Sequence, residues 1–212
     1  MKLPYPLVLA SASPRRHQFM RALGLPFTIH TADINETPRP REAPSALVRR
    51  LSQEKAQTVA IKRPDALIIA ADTIVVLNGQ ILGKPVSPAH AKEMLISLRN
   101  RRHIVYSALT LTGPKNTVEY TALNKTVVTM RPYTNAQIDA YIATKDPLDK
   151  AGAYAIQHPD FAPVAHLDGC YAGVMGLPLA DLVDALAIYG IIIESVWQHC
   201  AGITGHLCCA MP

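Results

Sequence analysis

Cysteine is scarce in this chain and poorly placed for cross-linking. Of four in 212 residues, Cys200, Cys208 and Cys209 crowd the last thirteen positions, and only Cys170 lies in the main body. That distribution excludes a disulfide framework. Aromatic residues are also few, at 6%, and like charges never run together in a long block, which argues against a stacked, basic nucleic-acid surface. No uncharged apolar run of membrane-spanning length occurs, and the short apolar start of the chain is broken by Pro4 and Pro6. The expectation is a protein without membrane or nucleic-acid partners, located in the cytoplasm.

What is present is a large apolar fraction, 49%, against 17% charged residues, the balance of a folded globular chain. The formal charge of +5 is spread over Arg15, Arg16, Arg39, Arg41, Arg49, Arg50, Arg99, Arg101, Arg102 and isolated lysines such as Lys55, Lys84 and Lys150. Scattered cations suit a polyanionic small molecule better than a duplex. The length fits one large domain, or a compact domain with two lobes. Residues 1–190 are expected to form it, with 191–212 as an extension.

The apolar run at residues 7–10 breaks into Ser11-Ala12-Ser13-Pro14, followed by apolar positions at helical spacing, which reads as strand, loop, helix. Ser13 suits an N-cap and Pro14 a first helical residue. A short strand over 27–31 precedes a proline-rich connection and a helix over about 45–62. Residues 66–71 are wholly apolar and read as a strand buried on both faces, ending at Asp72. Asn78-Gly79 between two apolar runs predicts a two-residue hairpin. Ser87-Pro88 opens another helix, residues 102–112 and 119–130 read as long antiparallel strands, and Thr134 with Gln137 makes a capping box. Leu179, Leu182, Val183 and Leu186 mark a last amphipathic helix. The fold class is α/β with a mixed sheet.

Several residues carry chemistry. Arg15 and Arg16 stand in the first turn of a helix, where cations oppose the helix dipole unless an anion joins them. Forked guanidinium donors beside Ser11 and Ser13 therefore point to phosphate. Asp72, expected at the carboxyl edge of a central strand, can position or deprotonate water or hold a metal. The hairpin and the rigid Pro85 would hold Lys84 near it. Glu36, in the loop Asn35-Glu36-Thr37-Pro38, could complete a carboxylate pair for a hard divalent ion, or be an ordinary loop glutamate.

These pieces resemble the Maf family of nucleotide pyrophosphatases over about residues 7–189. The motifs that carry the resemblance are Ser11-Ala12-Ser13-Pro14-Arg15-Arg16, Ala71-Asp72-Thr73, Gly83-Lys84-Pro85, Asp149-Lys150-Ala151-Gly152-Ala153-Tyr154 with Ile156-Gln157, and Met175-Gly176-Leu177-Pro178-Leu179. The resemblance implies a two-lobed α/β fold similar to the inosine-triphosphate pyrophosphatases, with flanking helices and the active site in the cleft between lobes. It implies cleavage of a nucleoside triphosphate to its monophosphate and pyrophosphate with a divalent cation, Mg or Mn, and is compatible with a homodimer. In that scheme Asp72 accepts the proton and, with Glu36, holds the metal. Ser11, Arg16, Lys55 and Lys84 hold phosphates, while Arg15, Thr73 and Gln157 shape base choice. Arg-Arg after Ser-Pro, threonine after the aspartate and glutamine at the later position resemble the branch that acts on dTTP and UTP. The 7-methyl-GTP branch carries tryptophan and glutamine at the first two of these positions.

Two other readings stand beside it. A cell-division inhibitor acting by binding would need a partner segment, for which only the apolar tail offers itself. His199, Cys200, His206, Cys208 and Cys209 match no zinc-finger or ribbon spacing. A docking segment, or a continuation of the last helix through Ile193 and Trp197, fits the tail better.

Overall fold

The computed structural model describes residues 3–116 and 119–206. Seven strands form one mixed sheet: β1 (Leu7–Leu9), β2 (Phe27–Ile29), β3 (Leu67–Leu77), β4 (Gln80–Leu82), β5 (Arg102–Thr112), β6 (Glu119–Met130) and β7 (Val164–Asp168). The order is β2-β1-β3-β5-β6-β7, with β4 also paired to β3. β1 lies parallel to both β2 and β3, as the crossovers through α1 (Pro14–Ala22) and α2 (Pro44–Lys62) require. β3, β5, β6 and β7 run antiparallel to one another in succession.

The sheet is covered on both faces. α2 packs Leu47, Val48, Leu51, Ala56 and Val59 against Val8, Ile68, Ala70, Ile74, Val76 and Ala108. The opposite face, carrying Leu9, Ile69, Ala71, Val75 and Leu109, is covered by α1, α3 (Pro88–Leu98), α4 (Asn135–Ala143), α5 (Tyr171–Met175) and α6 (Leu179–Ala187). Burial of both faces explains why residues 66–71 are apolar without alternation. Local signals also act as expected. Asn78 and Gly79 take φ of 50° and 80°, the conformation of a tight hairpin between β3 and β4. Ser87 accepts from the His90 amide at the start of α3, and Thr134 and Gln137 form a reciprocal capping box on α4.

Two expectations need correction and a third is met only in part. β3 does not stop at Asp72; it runs through it for 11 residues, because β5 pairs continuously from Ile68 to Val76 and supplies a backbone partner on either side of the carboxylate. Ser13 takes the expected N-cap position of α1, but its side chain makes no cap hydrogen bond. The tail does not continue α6. Gly190 and Ser195 take φ of 72° and 53°, which interrupts helical geometry, and a separate α7 (Val196–Thr204) packs beside α6, α1 and α5. Cys208 and Cys209 lie outside the described residues. Among the described residues no helix is long and apolar enough to cross a membrane.

Candidate active site

The edge of β3 that faces away from β5 is shared by two short strands. β1 partners Leu67–Ile69 and β4 partners Val75–Leu77, so among the described residues no strand flanks 70–74 on this edge. Strand alternation places Asp72 on the α2 face and Thr73 on the opposite face of this notch. A cleft of about 780 Å³ opens around it and is lined from both faces. Ser11, Arg15 and Arg16 enter from the loop after β1 and the start of α1, and Glu36 from the loop after β2. Lys55 comes from α2, Asp72 and Thr73 from β3, Lys84 from just after β4, and Gln157 from the segment before β7. All the residues assigned a role from sequence thus meet in one cavity, within the roughly 300–1,000 Å³ common for small-molecule sites.

On the α2 face Lys55 is the centre. Its ammonium pairs with the Asp72 carboxylate and, at 2.8 Å, with Oε1 of Glu36. Lys55 and Asp72 side chains are 12% and 11% exposed, whereas Glu36 is 61% exposed and forms the solvent side of the pair. Partial desolvation pushes the Glu36 carboxyl up. The hydrogen bond and charge of Lys55, with the charges of Lys84 and Arg16, outweigh it and hold Glu36 below the ordinary carboxylate value. Two carboxylates joined through one cation also fit a magnesium-like ion, which takes one or two protein carboxylates and completes its shell with water and phosphate oxygens. Among the described residues no cluster of three or more His, Cys, Asp or Glu side chains offers a fuller protein cage.

On the opposite face Arg16 is braced rather than solvated. Its Nε donates to the Gly176 carbonyl at 2.8 Å and its Nη1 to Ser11 Oγ at 3.1 Å. Burial pushes the guanidinium below its ordinary value, and Arg15 adds to that, while Asp72 and Glu36 oppose it. Gly176 ends α5 with φ 116°, and a Cβ there would stand 3.4 Å from Arg16 Nε, so this turn sets how closely the arginine can pack. Thr73 hydrogen-bonds Ser107 across the sheet. Gln157 and Lys84 are exposed at the cleft, and Arg15 is half-buried there.

Lys150 is not solvated in the way lysines usually are. It is 7% exposed and binds the Asp146 carbonyl and the Asp146 and Asp149 carboxylates at 2.6–2.8 Å, which ties down the turn beside the cleft. Ser107 belongs to no motif of the sequence. It is 1% exposed and stands on the apolar face of β5 in alternation with Val105 and Leu109, a polar residue at an inward position that could have drawn attention.

Known proteins resemble this chain over most of its length. A relative from Moorella thermoacetica named dTTP/UTP pyrophosphatase is 46% identical over 191 residues, covering 90% of this chain and 97% of its own. Relatives of the same name from Syntrophus aciditrophicus and Bacillus cereus are 40% and 42% identical, covering 92% and 87% of this chain and 96% of each relative. Among solved structures, the Ham1 protein of Staphylococcus aureus aligns with 60% of this chain and 72% of its own at a TM-score of 0.40 and 17% identity, too slight a likeness to bear on fold or activity. The family described as Maf-like protein matches residues 6–188, and the chain belongs to it.

Proposed function

We propose that this protein hydrolyses nucleoside triphosphates, dTTP and UTP by preference, to the nucleoside monophosphate and pyrophosphate, clearing them from the nucleotide pool. The observation that carries the reading is the joint placement of Asp72, Lys55 and Glu36 on one side of the β3 notch and Arg16 and Thr73 on the other, in one cleft. The relatives' shared name supports the same substrates. In this reading water attacks the α-phosphorus, the bond from that phosphorus to the oxygen bridging to the β-phosphorus breaks, and pyrophosphate leaves. Asp72 takes the proton of the attacking water. Lys55 has three donors; two serve Asp72 and Glu36, and the third remains for a phosphate oxygen. Arg16, Ser11 and Lys84 hold the remaining phosphate oxygens. Glu36 and Asp72 would hold a divalent ion, Mg or Mn, whose chemistry is to neutralise phosphate charge. Arg15, Thr73 and Gln157 face the base. Gln157 offers both a carboxamide donor and an acceptor, the complement of the adjacent carbonyl and imide N–H of uracil or thymine.

A nucleotide panel with pyrophosphate detection tests this. Wild type should show higher kcat/KM for dTTP and UTP than for 7-methyl-GTP, and Gln157→Glu should erode that preference more than it weakens triphosphate binding. Equal or better turnover of 7-methyl-GTP by the wild type would overturn the base assignment, and no pyrophosphate release from any nucleotide would overturn the enzyme. If a division phenotype exists and Asp72→Asn complements it fully, binding rather than catalysis is the function.

A further inference from the structure

The hydroxyls of Thr73 and Ser107 lie 2.9 Å apart, and either could be the donor by distance alone. The next link removes the ambiguity. Ser107 Oγ also lies 2.6 Å from the carbonyl oxygen of Gly173 in α5, and a carbonyl can only accept. The single Ser107 proton is therefore committed to Gly173, and the bond from Thr73 must carry the Thr73 proton. Thr73 then presents only oxygen lone pairs to the cleft. Such a group has nothing to give a phosphate, whose oxygens are all acceptors. The organic part of a ligand that meets it must offer an N–H or O–H.

We propose that Ser107, though buried and off the cleft wall, sets base selectivity by fixing the direction of the Thr73 hydroxyl proton. The inference rests on the nucleotide reading above and makes Ser107 a positioning residue. Uracil and thymine carry a single N–H at ring position 3, which an acceptor-only Thr73 can share with the Gln157 carboxamide oxygen in a three-centre hydrogen bond. Cytosine carries an acceptor at that position, and two acceptors face each other unfavourably. The device is built into the sheet. Thr73 and Ser107 are a cross-strand pair of β3 and β5, and α5 is held against β6 where the Cys170 amide donates to Thr126 Oγ1 at 2.9 Å. Gly173 O also accepts from the Gly176 amide at 2.9 Å, so removing the Ser107 hydroxyl does not orphan this carbonyl.

The test is calorimetric binding of UMP and CMP to wild type, Ser107→Ala, Thr73→Val, Thr73→Ser and the double variant Ser107→Ala/Thr73→Val, with UTP turnover by the wild type followed in parallel. Both ligands share the ribose, so their ratio isolates the base. Wild type should favour UMP. Ser107→Ala frees the Thr73 proton to turn towards the cleft and should lower the UMP-to-CMP affinity ratio about fivefold, the worth of one neutral hydrogen bond. Thr73→Val should lower the ratio likewise, Thr73→Ser should keep it, and the double variant should fall no further than Thr73→Val alone. A structural role for Ser107, or a contact from Thr73 to the ribose, weakens both ligands alike and overturns the proposal. So does a Ser107→Ala effect on the ratio that persists in the Thr73→Val background. A wild type that turns over UTP while the ratio ignores Ser107 sinks this inference alone; one that neither turns over UTP nor binds UMP sinks the nucleotide reading with it.

Discussion

Replacing Asp72 with asparagine separates charge from shape, since the amide fills the same space but is a far weaker proton acceptor. A positioned general base contributes about 10²–10⁴ in rate, so kcat should fall by that factor, roughly 3–5 kcal/mol of barrier. The surroundings offer little compensation. Glu36 shares the Lys55 ammonium but is 61% exposed, so it is screened by water and hangs from a loop rather than from the sheet. Stability should change less than activity. Orphaning one partner of a buried ion pair costs about 3–5 kcal/mol, but here Lys55 keeps Glu36 and the asparagine oxygen can still accept from it, so a loss of about 1–2 kcal/mol is expected. The assay is pyrophosphate release from dTTP and UTP by wild type and variant at one pH and one metal concentration, beside urea denaturation of both. A folded variant whose kcat drops less than tenfold, near 1.4 kcal/mol, would refute the assignment of Asp72 as proton acceptor. A variant that barely folds would mean that the carboxylate serves chiefly to neutralise Lys55.

Arg16→Ala and Lys84→Ala should raise KM similarly for dTTP, UTP and CTP, because phosphate contacts do not read the base. Arg16, already braced by Gly176 and Ser11, should matter more, roughly tenfold or above for a charge-assisted contact, and the exposed Lys84 a few-fold; a loss confined to one base would move either residue out of the phosphate role. His103 gives a pH prediction: it is 3% exposed, bonds the Tyr154 hydroxyl, and burial pushes it down from 6.5 to about 4. Between those values the unfolded chain binds more protons, so the contribution is whole above pH 6.5 and is lost as pH falls towards 4, by about 3 kcal/mol in all. Denaturation midpoints for His103→Gln should vary less over this range than those of wild type, and an unchanged slope would show that His103 is not the group responsible.

Local chemistry made much of this protein legible in its sequence. Asn78-Gly79 can supply the positive φ that a tight hairpin demands, Thr134 and Gln137 satisfy amides only a few residues away, and the doubly buried strand shows as an unbroken apolar run because both its faces need apolar side chains. Most residues of the candidate site stand in the short contiguous motifs that carry the family resemblance, whereas Lys55 lies in none of them. The relations among the site residues were not legible. That Asp72 lies within a strand depends on β5, whose paired residue Ala108 arrives from elsewhere in the chain, and its meeting with Lys55 and Glu36 depends on how α2 and the loop after β2 pack over the notch. α5 is five residues long, too short to establish a helical period, and β7, Val164-Ala165-His166-Leu167-Asp168, is neither an apolar run nor a strict alternation. Lys150 looks solvated until Asp146 and Asp149 fold over it. The direction of the Thr73 proton is decided by Ser107 and Gly173, 34 and a further 66 positions along the chain. Hydrogen-bond polarity passes through space between partners that only the tertiary structure brings together, so the sequence alone determined which groups are available and the packing decided which of them give and which receive.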